Sequence, residues 1–250
     1  MISVCLATYN GARFVEKQLQ SILVQLAPED ELIVCDDGSS DDTCNVIRQF
    51  ADARIALHAY SQNVGHVRNF ERAICAAKGD FIFLSDQDDV WVPGKIRAML
   101  NCLDANPDVE LVNHALATVN VDGQPLSMPL NPLREGRQSR LCYLLRQLVK
   151  CQVFGCAVGF RRRLLDVLLP FPRCVYAHDH WLAVAAGVRG QVYFLAEPLV
   201  LYRLHGANVT PRGGLHWQHR IFVRVRLLQQ ILIVLGRRLA PSNRSFKVAR

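Results

Sequence analysis

The 250-residue sequence lacks several features that would mark other kinds of protein. No GxGxxG turn follows its first apolar run, and no GxxxxGKS/T occurs anywhere. The dinucleotide-binding and P-loop readings therefore lack their phosphate cradle. There is no CxxC pair and no Cys/His zinc spacing. Cys5, Cys35, Cys44, Cys75, Cys102, Cys142, Cys151, Cys156 and Cys174 are scattered and odd in number, several of them inside apolar runs, as reduced cysteines of a cytoplasmic protein would be. No uncharged apolar run of roughly 18 residues exists. The nearest candidate, 221–239, is broken by Arg224, Arg226, Gln229 and Gln230, so a membrane-spanning helix is not expected. The opening MISVCLATYNG already reads as a strand, with no charged leader or cleavage site, so no secretory signal is expected either. With 50% apolar and 20% charged residues, disordered and collagen-like chains are excluded.

Charge is present but uneven. All 22 acidic residues lie at or before Glu197, and ten of the 29 basic residues follow it. Residues 1–197 thus carry −3 and residues 198–250 carry +10. An acidic body with a basic tail suits a catalytic domain with a surface-seeking appendage, and no nucleic-acid partner is expected. Short apolar runs at 2–7, 31–35, 55–60 and 81–84 predict strands. Helical spacing over 14–26, 41–50, 67–77 and 93–106 predicts helices between and after them, with Gly79 as the C′ residue of the third. This alternation predicts an α/β fold with a single, mostly parallel mixed sheet flanked by helices. Further strands are expected at 110–121, 157–160, 193–195 and 199–203, and helices at 141–150, 164–169 and 177–186. Residues 123–140 read as a Pro/Gly/Arg-rich loop near an acceptor. Trp217, Ile221, Val225, Leu228, Leu232 and Leu235 recur at helical spacing beside Arg220, Arg224, Arg226, Arg237 and Arg238. The chain therefore divides into a catalytic domain, 1–210, and a basic amphipathic C-terminal helix within 211–250, suited to an anionic membrane surface or to packing on protein.

Polar clusters follow the strands, where ligands of such sheets bind. Asp36 and Asp37 could accept hydrogen bonds from a base or ribose, or could cap a helix. Asp86-Gln87-Asp88-Asp89 places three carboxylates in four residues, a repulsive group that a hard cation such as Mg²⁺ or Mn²⁺ would relieve and that could otherwise be an acidic turn. Asp179 lies between His178 and His180 at a helix start, as a cap or as a functional carboxylate. Arg203 and His205 follow the last strand and could meet a diphosphate.

In order, the chain carries Ala7-Thr8-Tyr9-Asn10-Gly11, Asp36-Asp37-Gly38-Ser39-Ser40-Asp41-Asp42-Thr43, Asn63-Val64-Gly65, Lys78-Gly79-Asp80, Ser85-Asp86-Gln87-Asp88-Asp89-Val90-Trp91, His178-Asp179-His180-Trp181 and Leu201-Tyr202-Arg203-Leu204-His205-Gly206. This ordered set, spanning roughly residues 2–210, resembles an inverting family 2 glycosyltransferase of the GT-A fold. The SDQDDVW form resembles the rhamnosyltransferase-like members that build lipopolysaccharide or other bacterial surface polysaccharide. The resemblance implies that Thr8, Tyr9 and Asn10 line the nucleotide pocket, that Asp37 reads a pyrimidine base and that Asp36 supports it. Asp86, at the nucleotide, and Asp88, the direct ligand, would correspond to the metal-binding DxD. Asp179 would be the general base. Arg203 and His205 would hold the leaving diphosphate, His205 also reaching the metal. A dTDP- or UDP-sugar donor and a glycan or glycolipid acceptor are implied, and the basic C-terminal helix would bring the site to a lipid-linked acceptor at the inner membrane leaflet. QxxRW is absent, so transfer of one sugar is expected rather than polymer extrusion. Asn113-His114 stand where rhamnosyltransferase-like members often have an acidic residue. A competing class is an inactive nucleotide-sugar-binding or scaffold protein of the same fold; Asp88, Asp179 and His205 together argue against it.

Overall fold

Near-complete burial marks the strands that carry the site. β1 (Ile2–Thr8), β2 (Glu31–Asp36) and β4 (Phe81–Asp86) are buried along almost their whole length, as strands covered on both faces must be. The structure is a computed structural model that describes residues 1–126, 134–149, 153–206 and 217–239, without the side chains of 148–149 and 217–221. With β3 (Ile55–Ala59), these strands form the parallel half of one sheet, in the order β3-β2-β1-β4. Thr8 pairs with Asp36, and Ala7 with Asp86, so the carboxyl ends of β1, β2 and β4 finish at one level. The connections are α1 (Val15–Leu23), α2 (Thr43–Gln49) and α3 (His66–Ala76).

The second half comprises β5 (Val90–Trp91), α4 (Lys95–Ala105), β6 (Val109–Val119), β7 (Gly136–Arg137), α5 (Arg140–Val149), β8 (Val158–Arg161), α6 (Leu165–Leu168), α7 (His178–Arg189), β9 (Gln191–Arg203) and α8 (Trp217–Leu239). The sheet continues β4-β8-β6-β9-β5, with β7 also on β9. β8 runs antiparallel to β4 and β6, and β5 and β7 run antiparallel to β9, whereas β6 and β9 are parallel. The sheet is thus mixed as expected, with its long pairings parallel and its antiparallel pairings short. The two strands expected at 193–195 and 199–203 are one strand, β9, with register shifts along its pairing with β6 around Pro198. Proline has no N–H for the ladder, so the pairing breaks there while the chain runs on.

One core layer packs α3 and α7 on the sheet through Phe70, Phe160, Trp181 and Phe194. The other packs α1 and α4 through Leu19, Ile22, Phe83 and Met99. Gly79 does not cap α3. The helix ends at Ala77 in an extended conformation, ψ 135°. Gly79 is instead a point of close approach, where an added Cβ would lie 2.6 Å from the Ser3 amide nitrogen. Leu227 and Val234 of α8 are buried, seating it on the first core layer. Arg237 and Arg238, expected at a membrane surface, are tied to protein. Arg237 donates to the carbonyls of Val167 (2.8 Å), Leu168 (3.0 Å) and Pro170 (2.6 Å), and Arg238 to that of Val188 (2.8 Å). The boundary at 210/211 and the side chains of Trp217, Arg220 and Ile221 lie outside the described residues.

Candidate active site

The level strand ends bring the polar clusters of β1, β2 and β4 into one crevice. Thr8 and Asp36 are buried and bonded to each other, Thr8 Oγ1 donating to Asp36 Oδ1 at 2.9 Å. The Ser39 amide donates to Asp36 Oδ2 at 2.9 Å, so this carboxylate fixes the turn after β2. Asn10, in the left-handed region at φ 49°, receives the Ser40 amide on its side-chain oxygen at 2.9 Å. Tyr9 stands exposed at the rim. Its amide donates to Gln87 Oε1 at 2.8 Å, and Gln87 Nε2 donates back to the Tyr9 carbonyl at 2.9 Å. This reciprocal pair joins the loops after β1 and β4. Gly11 leaves room for this pair, since a Cβ there would lie 2.1 Å from Gln87 Oε1 and would displace the Gln87 side chain.

Asp37 is buried and accepts the amides of Val64 (3.0 Å) and Gly65 (2.8 Å), with Arg72 Nη1 3.2 Å from Oδ1. The Asn63-Val64-Gly65 segment thereby closes on Asp37. Asp41, rather than the N-cap residue Asp42, links α2 to the first loop: its carboxylate takes the Thr43 amide and the Ala12 amide, each at 3.1 Å.

The acidic turn after β4 is the electrostatic centre. Burial, aided by Asp88 and Asp179, pushes the Asp86 carboxyl up to about 7, against the pull of Lys95. His205 Nε2 lies 2.7 Å from Asp88 Oδ2, 117 residues away in sequence, and the His205 ring stacks on Phe14 at 5.1 Å. Arg203 is buried. Its Nε donates to the Asp88 carbonyl at 2.9 Å and Nη1 to the Val121 carbonyl at 2.8 Å, so its guanidinium braces the acidic turn from behind. Asp179, in the first turn of α7, accepts its own His180 amide on Oδ1 at 2.8 Å. Beside it, burial lowers His66 and His180 and takes His178 down to about 4; His178 is packed face to face on Phe70 at 4.0 Å.

Two residues of the centre, Cys156 and Lys95, are visible only in the fold, and Asp89 of the acidic turn acquires its partners there. Asp89 is buried. Its Oδ1 accepts the Arg203 amide at 3.1 Å, while Oδ2 has no hydrogen-bond partner among the described residues. Asp86, Asp89 and Cys156 offer ligand atoms within 4.8 Å of one another. Lys95 is wholly buried beneath them, with Nζ donating to the Cys156 carbonyl at 2.7 Å and lying 4.0 Å from the centre of the Trp91 ring. Burial lowers its amine to about 7. Its one sequence signal is position: a cation in the first turn of a helix opposes the helix dipole. Asn113 and His114 are also fully buried. Burial and the nearby Lys95 hold His114 well below its ordinary value, so it is neutral.

The profile described as Glycosyl transferase family 2 matches residues 3–169. Among curated proteins, an uncharacterised glycosyltransferase of Nostoc sp. is 27% identical over 83% of this chain and 66% of its own length. The UDP-Glc:alpha-D-GlcNAc-diphosphoundecaprenol beta-1,3-glucosyltransferase WfgD of Escherichia coli is 32% identical over 42% of each chain. The chain spans just under two thirds of the length of the first such relatives. Among solved structures, S. aureus TarS in complex with UDP-GlcNAc superposes with a TM-score of 0.70 at 16% identity, covering 94% of this chain and 72% of that one. A Pyrobaculum calidifontis mannosyltransferase, in complex with GDP-Man and Mn²⁺, gives 0.59 at 22% identity, covering 95% and 64%. The fold is of the GT-A type.

Proposed function

Because the chain belongs to glycosyl transferase family 2, we propose that it moves one hexose from a UDP- or dTDP-sugar to a hydroxyl of a lipid-linked glycan in surface-polysaccharide synthesis, with Mg²⁺ or Mn²⁺ at Asp86 and Asp88. The observation that carries this reading is the meeting of Asp88 with His205 at 2.7 Å beside Asp86. It brings oxygen and imidazole donors from two distant parts of the chain to one point. The residues suit a hard cation. Asp86 is raised to about 7 by burial and by neighbouring negative charge, and a buried oxygen of Asp89 stands without a hydrogen-bond partner among the described residues. The Cys156 thiol, pushed up by burial and by Asp89, stays protonated and offers no soft ligand.

Asp86 and Asp88 would hold the ion, with His205 beside them; when bound, it would offset charge on the departing diphosphate. Thr8, Tyr9, Asn10, Asp36 and Asp37 form the wall in which the nucleotide would sit. Asp36 and Asp37 shape that wall through main-chain amides, so their part in recognition lies in holding the loops that meet the base. Arg203 would serve the diphosphate by fixing the turn that carries Asp88. Asp179 Oδ2 has no hydrogen bond among the described residues and would accept the acceptor hydroxyl proton. As that proton leaves, the hydroxyl oxygen bonds to the anomeric carbon, the bond from that carbon to the diphosphate breaks, and the configuration inverts. Rhamnose is one donor sugar in keeping with the SDQDDVW turn. The reading of a lipid-linked acceptor is supported by the E. coli relative, which acts on a diphosphoundecaprenol-linked sugar. It is supported too by α8, whose outward side exposes Phe222, Val225, Leu228, Leu232, Leu235 and Leu239. Among the described residues no helix is long and apolar enough to cross a membrane, so contact would be peripheral.

The test is nucleoside diphosphate release by purified protein from a panel of UDP-, dTDP- and GDP-sugars, with and without Mn²⁺, followed by the anomeric configuration of the product. Turnover that ignores chelator would remove the metal from this reading, and a retained configuration would remove the single displacement.

A further inference from the structure

At the end of α7 remote from the site, four arginines from four different elements line an open hollow of about 640 Å³: Arg140 of α5, Arg163 beside β8, Arg189 of α7 and Arg238 of α8. We infer that this hollow holds the phosphate of an anionic lipid headgroup. The inference builds on the reading of α8 as a membrane-facing helix and adds a site to it.

The acidic residues here are Glu110 and Asp108 on the lining, with Asp166 on Arg189. Glu110 is buried between Arg163, 3.1 Å away, and Arg189, 3.6 Å away, and Asp108 pairs with Arg137 at 3.2 Å. Arg140 and Arg238 have no acidic partner among the described residues. Both donate to the Val188 carbonyl, and Arg140 also to that of Gly187 at 3.5 Å. Capping the carboxyl end of α7 accounts for those bonds. It leaves most of the five N–H donors of each guanidinium unengaged and two charges unneutralised on the lining of the hollow.

The surroundings favour a lipid over a soluble anion. Arg140 and Arg238 meet at one carbonyl, and each is followed in sequence by an exposed leucine, Leu141 at 68% and Leu239 at 85% exposure. From Leu239 the apolar stripe runs back along α8 through Leu235, Leu232, Leu228 and Val225, and Leu145 of α5 is also exposed. A free phosphate needs none of this apolar surface, whereas a headgroup needs it beside its charge. A second copy of the chain fits less well, since α8 carries arginine and no acid, and self-pairing would set arginines together.

The experiment measures binding of the full chain to vesicles of phosphatidylcholine alone and of phosphatidylcholine mixed with phosphatidylglycerol. Wild type is expected to prefer the mixed vesicles and to lose that preference as salt rises. The Arg140→Gln/Arg238→Gln pair should bind them roughly tenfold or more weakly, with nucleoside diphosphate release to a soluble acceptor unchanged. The Arg140→Lys/Arg238→Lys pair keeps the charges and should bind as wild type; equal loss in it would show that the arginines act through the fold and would overturn the proposal. Unchanged binding by the Gln pair, together with loss in Leu232→Ser/Leu235→Ser, would overturn the hollow and spare the α8 reading. No loss in either would overturn both. Inorganic phosphate bound without vesicles, and lost in the Gln pair whose vesicle binding is intact, would assign the hollow to a soluble anion instead.

Discussion

In the proposed reaction Asp179 and Asp88 have separate parts, and substitution tests each. Asp179→Asn keeps size but cannot accept the acceptor proton. Nucleotide-sugar affinity by calorimetry should stay near wild type while turnover falls on the order of 10²–10⁴-fold; wild-type turnover in a folded variant would remove Asp179 from the reaction. Asp88→Asn should instead weaken Mn²⁺-dependent nucleoside diphosphate binding, and unchanged affinity there would exclude Asp88 as a ligand. Asp86 adds a pH signature. With its carboxyl raised to about 7, it must lose a proton to take a cation, so apparent Mn²⁺ affinity should rise from pH 6 to pH 8. A flat titration over that span would show that Asp86 does not bind the ion. At this scale the sequence displayed residue types at strand ends and little of their geometry. Asp37 meets the Val64 and Gly65 amides, and Arg203 meets main-chain carbonyls, because partners so far away in the chain are chosen by packing. Lys95 was missed for the same reason: nothing in the helix it opens tells that its amine lies under Asp86 and Asp89.

Elements were more legible where one physical signal ruled. The buried runs of β1, β2 and β4 and the helices between them follow from apolar pattern alone. The two-residue strands β5 and β7 carry no pattern of their own; they exist because β9 offers an edge. Gly79 shows how a correct glycine can be given the wrong reason. The sequence suggested a helix cap, yet the fold uses the missing Cβ to bring the turn before β4 against the start of β1. Gly79→Ala should therefore cost about 1–3 kcal/mol as an overpacking substitution, visible as a lower denaturant midpoint. An unchanged midpoint would show that the chain relaxes there freely.

For the molecule as a whole, buried histidines tie stability to pH. Burial lowers His114 and His178, and partial desolvation lowers the half-buried His180 and the more exposed His66. The folded state keeps His178 neutral down to about 4, whereas the unfolded chain takes up its proton near 6.5. Its contribution is thus complete above pH 6.5 and is lost as pH falls toward 4. Asp86 and Asp89, raised by burial, act in the opposite sense over part of that range. The His178 share is isolated by comparing His178→Gln with wild type: the variant's unfolding free energy should fall less between pH 6.5 and 4, and parallel curves would refute it.

Lys95 gives the metal question a different outcome from the usual one. Many sites built from clustered acids lean on an exchangeable ion, and stripping it loosens the protein. Here a basic side chain, held by the Cys156 carbonyl and the face of Trp91, is part of the chain and cannot be chelated away. Withdrawal of divalent cations should then silence the protein without melting it. EDTA should leave the wild-type thermal midpoint nearly unmoved, while Lys95→Met should make that midpoint depend on added Mn²⁺. If the proposed reaction needs the ion, a protein arranged in this way waits folded and idle until the ion concentration around it rises.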